Sequence, residues 1–293
     1  MAQEIADLGF EYMELSHGIR MSLVPGILQA VEQGVVKVSS VHNFCPLPPG
    51  VMGAAPNLYE PTGSSRQEQS QWLRHTLKTI DFAHQVGADL MVIHSGSVRF
   101  WFNDPEDAYD RYREGRGLEH LAQDPNYPKI LRKTLDKVRR KEGRFLQRLI
   151  DNYRRILPAA KAKGVRLGIE NREGLTELPM DLEMVGLLQE LGKPEICGYW
   201  HDAGHAQLKD MMGVIPHREL LNENSARQFG FHLHDVSPEG KDHQTIGSGV
   251  IDWQMLKDFI RDEHIVVLEL SPRLQRDQVT ASKGFIEQLL NLK

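Results

Sequence analysis

Cysteine is scarce in this chain, and signals for export or membrane insertion are missing. The 293 residues include only two cysteines, Cys45 and Cys197, which lie far apart and form no CxxC pair. This usage argues against a disulfide scaffold and favours a reducing compartment, so we expect a cytoplasmic protein. No basic stretch leads into an apolar segment near the start, and no long uncharged run follows. The sequence therefore predicts neither a signal peptide nor a membrane span.

A strong excess of one charge is also absent. The formal net charge is -5 and the isoelectric point is about 6.2, so the composition gives no reason to expect a nucleic-acid partner. P-loop, GxSxG and HExxH motifs are missing as well. With 40% hydrophobic and 26% charged residues, the chain has the composition of a globular protein. Its length allows one large α/β barrel or two ordinary domains.

Short β-rich runs alternate with longer amphipathic patterns. Helical patterns such as 69–87, 149–164 and 252–263 separate the runs, and several of these patterns end in glycine. The alternation predicts a parallel sheet covered by helices, and we expect a single (β/α)8 TIM-barrel domain over residues 1–293. Seven runs are visible: 10–15, 36–42, 89–95, 165–171, 196–202, 229–236 and 264–270.

Two features depart from a simple barrel. The chain opens with MAQEIADLGFEYMEL, which predicts the end of a helix leading into a strand, without the strand that should precede that helix. Either the barrel has an open seam, or its start lies upstream, or another segment takes the place of the first strand. In addition, about 50 residues at 97–145 follow the strand ending at His94, and we expect a helical insertion there. Residues 104–166 carry 17 Lys and Arg against 10 Asp and Glu. The insertion is either a solvated helical segment or an anion-binding flap over a site.

Metal-binding side chains stand at the ends of six runs. The C-terminal strand ends of a barrel converge on one face, where catalytic residues are found. Carboxylates and imidazoles together suit Mn²⁺, Co²⁺, Mg²⁺ or Zn²⁺. The alternative is that these residues pair with Arg and Lys from loops. They are His42, His94, Glu170, Asp202, His232 with His234, and Glu269.

Four of these residues form a plausible ligand set on chemical grounds. Glu170, Asp202, His232 and Glu269 would hold a divalent cation and leave positions for water or substrate. His232 and His234 are two residues apart, so they point the same way along a strand. Further along, Gly247-Ser248-Gly249 could cradle a phosphate, although a lone GxG is more often only a turn.

The order of these motifs resembles the xylose-isomerase-like TIM-barrel superfamily. The motifs are VIHSGS, LGIENR, HDAGH, HLHD followed by HQTIGSGVIDW, and VVLELSP. That group contains sugar and sugar-phosphate isomerases and epimerases, together with apurinic-site endonucleases of the endonuclease IV type. The resemblance implies that Glu170, Asp202, His232 and Glu269 are the central metal ligands. It also implies that His205 touches substrate or a further zinc, and that His42 and His94 line the pocket or complete a second metal site.

An isomerase or epimerase acting on a sugar-like hydroxy-carbonyl compound is the function the resemblance favours. Glu170 and Glu269 would be the acid/base pair, moving a proton through a metal-bound enediolate, and His205 would assist them. His234 and His243 are further candidates for a second metal or for substrate, and Arg273 is a candidate anion contact. We expect no membrane partner, and a homo-oligomer is one expectation for the assembly. A dehydratase or lyase acting on a similar substrate is the alternative.

An apurinic-site endonuclease is the less favoured alternative. Lys241 stands where those enzymes carry an aspartate ligand, two residues before His243. The neighbouring Asp242 is expected to point elsewhere, so one zinc site looks incomplete. Cys45 also replaces an aromatic residue of the endonuclease pattern, and duplex binding requires a basic surface that neutralises phosphates. His201, between the apolar run and Asp202, is expected to be structural.

Overall fold

The computed structural model describes residues 1–121 and 123–292, and it divides into two compact units. Unit 1 consists of Met1–Gly96, Phe145–Glu170 and Leu187–Gly198. Unit 2 consists of Ser97–Arg144, Asn171–Gly186 and Tyr199–Lys293. That the chain is one barrel domain stays a prediction. No described helix is long and apolar enough to cross a bilayer.

The described residues contain seven strands, and every one of them falls on a predicted run. All pairings with a described register are parallel. The predicted helix before the first strand is confirmed as well. The strands are β1 (Tyr12–Leu15), β2 (Lys37–His42), β3 (Leu90–Ile93), β4 (Arg166–Glu170), β5 (Cys197–Asp202), β6 (Gln228–Leu233) and β7 (Ile265–Leu268).

Eleven α-helices lie between and around these strands in the described part of the chain. They are α1 (Ala2–Asp7), α2 (Val24–Glu32), α3 (Arg66–Gln85), α4 (Pro105–Arg113), α5 (Leu118–Leu121), α6 (Tyr127–Lys163), α7 (Glu183–Leu191), α8 (Ala203–Met211), α9 (His217–Asn224), α10 (Trp253–Lys257) and α11 (Arg276–Leu290). Short 3-10 turns at Met21–Leu23 and Ser225–Arg227 precede α2 and β6.

Unit 1 is built on the parallel strands β1, β2, β3 and β4, paired in chain order. All four residues of β3 are buried, as expected for an inner strand covered on both faces. Helix α3 starts at Ser65, whose hydroxyl accepts a hydrogen bond from Glu68 N, and it packs on β2 and β3. Its buried side chains recur with helical spacing: Trp72, Thr76, Thr79, Ile80 and Ala83.

Unit 2 contains the parallel pairs β5–β6 and β6–β7. Their register places Asp202 opposite His232, and Glu269 N donates to Leu233 O just beyond the end of β7. Strand β5 runs directly into α8, because the Asp202 side chain accepts from His205 N and caps the helix. The strand ends therefore bring Asp202, His232 and Glu269 to one edge of this sheet.

The predicted helical insertion after the strand ending at His94 is confirmed. Helices α4 and α5 lie within 97–145, and α6 continues without a break from Tyr127 through the expected boundary to Lys163. Helix α10 is shorter than the pattern at 252–263 predicts. Beyond Lys257 the amides of Asp258 and Phe259 donate three residues back, to Met255 O and Leu256 O, so the helix passes into turns.

Candidate metal centre

In unit 1, two histidines converge on one carboxylate. The β3–β4 register pairs Ile93 with Ile169, which brings the next residues, His94 and Glu170, side by side. His94 Nε2 lies 2.8 Å and His42 Nε2 lies 3.3 Å from the same oxygen, Glu170 Oε2. All three side chains are buried. One ligand atom from each lies within 4.8 Å of the others, a spacing that a metal ion can bridge.

The hydrogen bonds on the far side of each ring define what the two Nε2 atoms can do. His42 Nδ1 lies 3.1 Å from Asn43 O and His94 Nδ1 lies 3.0 Å from Asn57 Oδ1, so each Nδ1 carries the hydrogen and donates. A neutral ring then points the lone pair of Nε2 at Glu170. Nε2 is therefore the ring nitrogen that each histidine can offer to a cation bound beside the Glu170 carboxylate.

His17 is a third imidazole beside this group, and the sequence analysis did not select it. Its ring centroid lies 4.7 Å from that of His42 and 6.3 Å from that of His94. It follows the end of β1 by two residues, in ELSHG. The available signal was that position just beyond a strand, because the strand ends are where the predicted metal ligands were found.

In unit 2, the remaining predicted ligands meet. His232 Nδ1 lies 2.8 Å from Glu269 Oε2 and 3.8 Å from Asp202 Oδ2. Asp202 and His232 are fully buried, whereas the Glu269 side chain is 25% exposed. Burial of this many acidic and basic groups is costly unless they are paired or bind a metal. The donor set of two carboxylates and one imidazole suits a divalent cation.

His234 orients Asp202. Its Nδ1 accepts a hydrogen bond from His243 N (2.9 Å), so its hydrogen is on Nε2, which lies 3.1 and 3.2 Å from the two Asp202 oxygens. The His243 ring stacks on the His234 ring, with centroids 4.2 Å apart. His232 and His234, two residues apart, both face Asp202. Gly204 makes room for this arrangement, since a Cβ there would lie 1.9 Å from His234 Cε1.

A second group of side chains holds Asp202 through its backbone. Asn171 Oδ1 accepts from Asp202 N (2.8 Å), and Asn171 Nδ2 donates to Asp202 O (3.0 Å). The Tyr199 hydroxyl donates to Asn171 Oδ1 and lies 2.8 Å from His201 Nδ1. His201 Nε2 in turn lies 2.9 Å from His217 Nε2. His201 is therefore part of a buried hydrogen-bonded chain that ends on Asp202, a structural role.

Burial keeps His201 and His217, at the far end of this series of hydrogen bonds, neutral. It lowers the pKa of His217 to about 4 and the pKa of His201 well below its usual range, and their mutual repulsion lowers the pKa of His201 further. His243 behaves in the opposite way. Burial alone would lower its pKa, but the hydrogen bond with Asp242 and the charges of Glu269 and Asp202 raise it to about 9. A cation bound by Glu269 and Asp202 would oppose this increase in the pKa of His243.

The loops around His205 correct one expectation. Asp242 was expected to point elsewhere, yet one of its oxygens lies within 4.8 Å of ligand atoms of His205 and Glu173. His243, which follows, has a positive φ of 53°, and residues 235 and 244 form an isolated antiparallel bridge. The backbone reverses direction between residues 235 and 244, so side chains there do not alternate between two faces as they do in an extended strand. Asp242 can therefore face His205. His205 Nδ1 itself lies 3.1 Å from Asn171 O and 3.3 Å from Arg172 Nη1.

The glycine turn after His243 is a structural turn. Gly247 N donates to Asp235 Oδ2, which also accepts from Trp253 Nε1. Asp235 Oδ1 accepts from the amides of Val236 and Ile251. With the Gly247 amide engaged, this turn is not organised as a phosphate cradle. The last predicted candidate, Arg273, is exposed, and its backbone N–H donates to Ser271 Oγ.

A family model described as xylose isomerase-like TIM barrel matches residues 128–289. No curated protein matches the chain in sequence. Solved structures with a similar fold include a D-tagatose 3-epimerase-like protein, with a TM-score of 0.62, 16% identity, and coverage of 99% of this chain and 92% of the other.

Two further epimerases are similar in fold. D-psicose 3-epimerase from Clostridium cellulolyticum H10, solved with D-tagatose, has a TM-score of 0.66 and 11% identity and covers 99% and 92% of the two chains. The 3-keto-D-glucoside 4-epimerase from E. coli has a TM-score of 0.65 and 13% identity and covers 98% and 92%. At such identities the likeness shows the fold alone.

The family match extends over more than half of the residues and includes the strand ends at Glu170, Asp202, His232 and Glu269. It confirms both the predicted TIM-barrel fold and the resemblance from which the site was derived. The chain belongs to the xylose isomerase-like TIM-barrel family.

Proposed function

We propose that this chain is a divalent-metal-dependent isomerase or epimerase of a sugar or a sugar-like hydroxy-carbonyl compound. The observation that carries the proposal is the convergence of carboxylate oxygens and imidazole nitrogens in each unit. His42, His94 and Glu170 meet in one, and Asp202, His232 and Glu269 meet in the other. The related folds of epimerases acting on ketoses support this substrate class.

Glu170, Asp202, His232 and Glu269 are the proposed ligands. Glu170 precedes Asn171, whose side chain forms hydrogen bonds with the backbone N–H and the backbone carbonyl of Asp202. The family resemblance implies Glu170 as the fourth member of this ligand set. His42 and His94 would hold a second ion or contact substrate. Mn²⁺, Co²⁺, Mg²⁺ and Zn²⁺ all accept such a mixture of oxygen and nitrogen ligands.

The bound cation would polarise the substrate carbonyl and acidify the neighbouring C–H bond. Glu170 and Glu269 are the proposed acid/base pair that removes this proton and returns it to carbon. The two carboxylates differ in access, since the Glu269 side chain is 25% exposed and that of Glu170 only 1%. Glu269 is therefore the residue through which the proton would exchange with solvent.

Three neighbours have proposed supporting roles. His205 would orient a substrate hydroxyl, because its Nδ1 is engaged by Asn171 O and its ring is fixed. His234 would hold Asp202 through Nε2, and its stacking partner His243 would line the pocket or take part in a further metal site. Arg273 would contact an anionic group only if the substrate carries one.

Metal content tests the first half of the proposal. Protein purified without chelator should contain stoichiometric Mn²⁺, Co²⁺ or Zn²⁺ by mass spectrometry, and Glu170→Gln and Asp202→Asn should lose it. Glu195→Gln, which changes an exposed carboxylate, is the matched control and should retain the metal. Protein that stays empty under all loading conditions would refute the proposal.

Deuterium incorporation tests the second half. The metal-loaded protein should incorporate deuterium from D₂O into a ketose such as D-tagatose, D-psicose or D-fructose, and yield its epimer or aldose. Loss of a β-hydroxyl would instead identify a dehydratase. Cleavage of a duplex containing an abasic site, without any change in the sugars, would overturn the proposal in favour of a nuclease.

A further inference from the structure

The beginning of the insertion is fastened to the loop that follows β4. Val98 N donates to Thr176 O (2.8 Å), and residue 97 forms an antiparallel bridge with residue 177. From the first turn of α4, the Glu106 carboxylate reaches the same loop. It accepts from Leu175 N (2.6 Å), from Thr176 N (3.2 Å) and from the Thr176 hydroxyl. Residues 175–177 of this loop are therefore held by two parts of the insertion, the backbone of residues 97 and 98 and the side chain of Glu106.

The contacts continue from this loop to His205. Glu177 Oε1 accepts from Arg172 Nε (3.0 Å), and Glu177 Oε2 accepts from Gly174 N (2.9 Å). Arg172 Nη1 lies 3.3 Å from His205 Nδ1. An unbroken series of direct contacts in unit 2 thus joins the insertion to a residue of the candidate site.

The packing of the loop leaves it little freedom. A Cβ at Gly174 would lie 2.8 Å from Glu177 Oε2 and 3.1 Å from Glu106 Oε1. Both carboxylates therefore pack directly against the backbone of this turn. Burial raises the pKa of Glu106, although hydrogen bonds from Thr176 and Leu175 oppose the increase. Removing the carboxylate would leave three donors without their acceptor.

We propose that residues 97–106 are a positioning element, in which Glu106 fixes the loop 171–177 and thereby sets Arg172 against His205. The insertion then has a role that differs from both a solvated segment and an anion-binding flap. The proposal rests on the proposed function only for the consequence that His205 faces a substrate. The contacts themselves are independent of the reaction.

Hydrogen exchange tests the fastening of the loop. In Glu106→Ala, backbone amides of peptides covering 172–178 should exchange at least roughly tenfold faster than in the wild type, since three hydrogen bonds to the loop are lost. Asp107→Asn removes an exposed carboxylate from the same helical turn and is the matched control, expected to leave these rates unchanged. Equal protection in Glu106→Ala and wild type would overturn the proposal.

The imidazole spectrum of His205 tests the consequence for the site without any substrate. Its ¹H–¹⁵N ring signals should shift in Glu106→Ala and stay in place in Asp107→Asn. Thr176→Val removes only the hydroxyl contact with Glu106, so it should shift the same signals by less. Unchanged His205 signals beside a mobilised loop would refute the positioning role.

Turnover separates this proposal from the proposed function. If the wild type epimerises D-tagatose or D-psicose, kcat/KM of Glu106→Ala should fall roughly tenfold at an unchanged metal content. An unchanged kcat/KM would overturn the positioning role. If no ketose reacts, the proposed function fails, and the exchange rates and the His205 signals still decide whether Glu106 positions the loop.

Discussion

Replacing Gly204 with alanine should destabilise the protein, although the same change inside a helix usually stabilises it. Gly204 lies in α8, and a Cβ there would come within 1.9 Å of His234 Cε1 and 2.5 Å of His234 Nδ1. The ring has nowhere to move without losing contacts. Its Nε2 bonds to Asp202, and its Nδ1 accepts from His243 N. The added methyl group must therefore displace either His234 or the helix.

The magnitude follows from three contributions. Glycine to alanine in a helix contributes about 0.5–1 kcal/mol of stability. Overpacking in a well-packed interior costs about 1–3 kcal/mol. Loss of the hydrogen bond from His234 to the Asp202 carboxylate costs about 1.5–3 kcal/mol more. We therefore expect Gly204→Ala to lower the free energy of unfolding by about 1.5–5.5 kcal/mol, combining these ranges.

Urea unfolding of the metal-free protein, followed by circular dichroism, measures this change. Gly186→Ala in α7 is the matched control, because nothing lies within 4 Å of a Cβ at that position. It should stabilise the protein by about 0.5–1 kcal/mol. If both variants are stabilised alike, the His234 ring does not pack on Gly204, and the explanation given for the glycine of DAGH is wrong.

Three further changes test neighbouring parts of the site. Asn171→Ala should weaken metal binding roughly 10–100-fold by releasing the backbone of Asp202, and an unchanged affinity in a competition titration would contradict this. Asp235→Asn should lower the free energy of unfolding by about 2–4 kcal/mol, because an amide cannot accept from all four donors that bond to the Asp235 carboxylate. An unaltered midpoint of urea unfolding would show that these four hydrogen bonds contribute little. The pKa of His217 is about 4 in the folded protein and about 6.5 in the unfolded chain. The unfolded chain therefore binds more protons, and the free energy of unfolding falls by about 3 kcal/mol as the pH drops from 6.5 to 4. His217→Gln should lack this contribution, and equal pH slopes in both proteins would refute it.

The strands and the strand-end residues could be read from the sequence because both follow short-range rules. Runs of β-branched and aromatic residues bounded by glycine mark the strands, and a parallel sheet with helical crossovers brings their C-terminal ends to one edge. Within unit 2, that rule alone places Asp202, His232 and Glu269 together. Within unit 1 it does the same for His42, His94 and Glu170.

Loop geometry and proton placement could not be read in the same way. Asp242 faces His205 because the chain reverses at His243, and no periodic pattern encodes that reversal. The contact of Glu106 with the loop after β4 joins residues 70 positions apart in segments without regular spacing. His201 looked structural only from its place beside Asp202, whereas its bonds to Tyr199 and His217 depend on side chains brought together by folding.

Asp202 shows why the candidate centre calls for a positive charge. Its Oδ1 accepts from His205 N (2.7 Å) and lies 3.1 Å from His234 Nε2, so donors already satisfy that oxygen. Its Oδ2 faces His232 Nδ1 at 3.8 Å, and His232 Nδ1 lies 2.8 Å from Glu269 Oε2. A proton on His232 Nδ1 can bond closely to only one of these two carboxylates, and His234 Nε2 also lies 3.2 Å from Asp202 Oδ2. A divalent cation would interact with both carboxylates and with the ring nitrogen at once, and the donors to Oδ1 would keep Asp202 turned toward it.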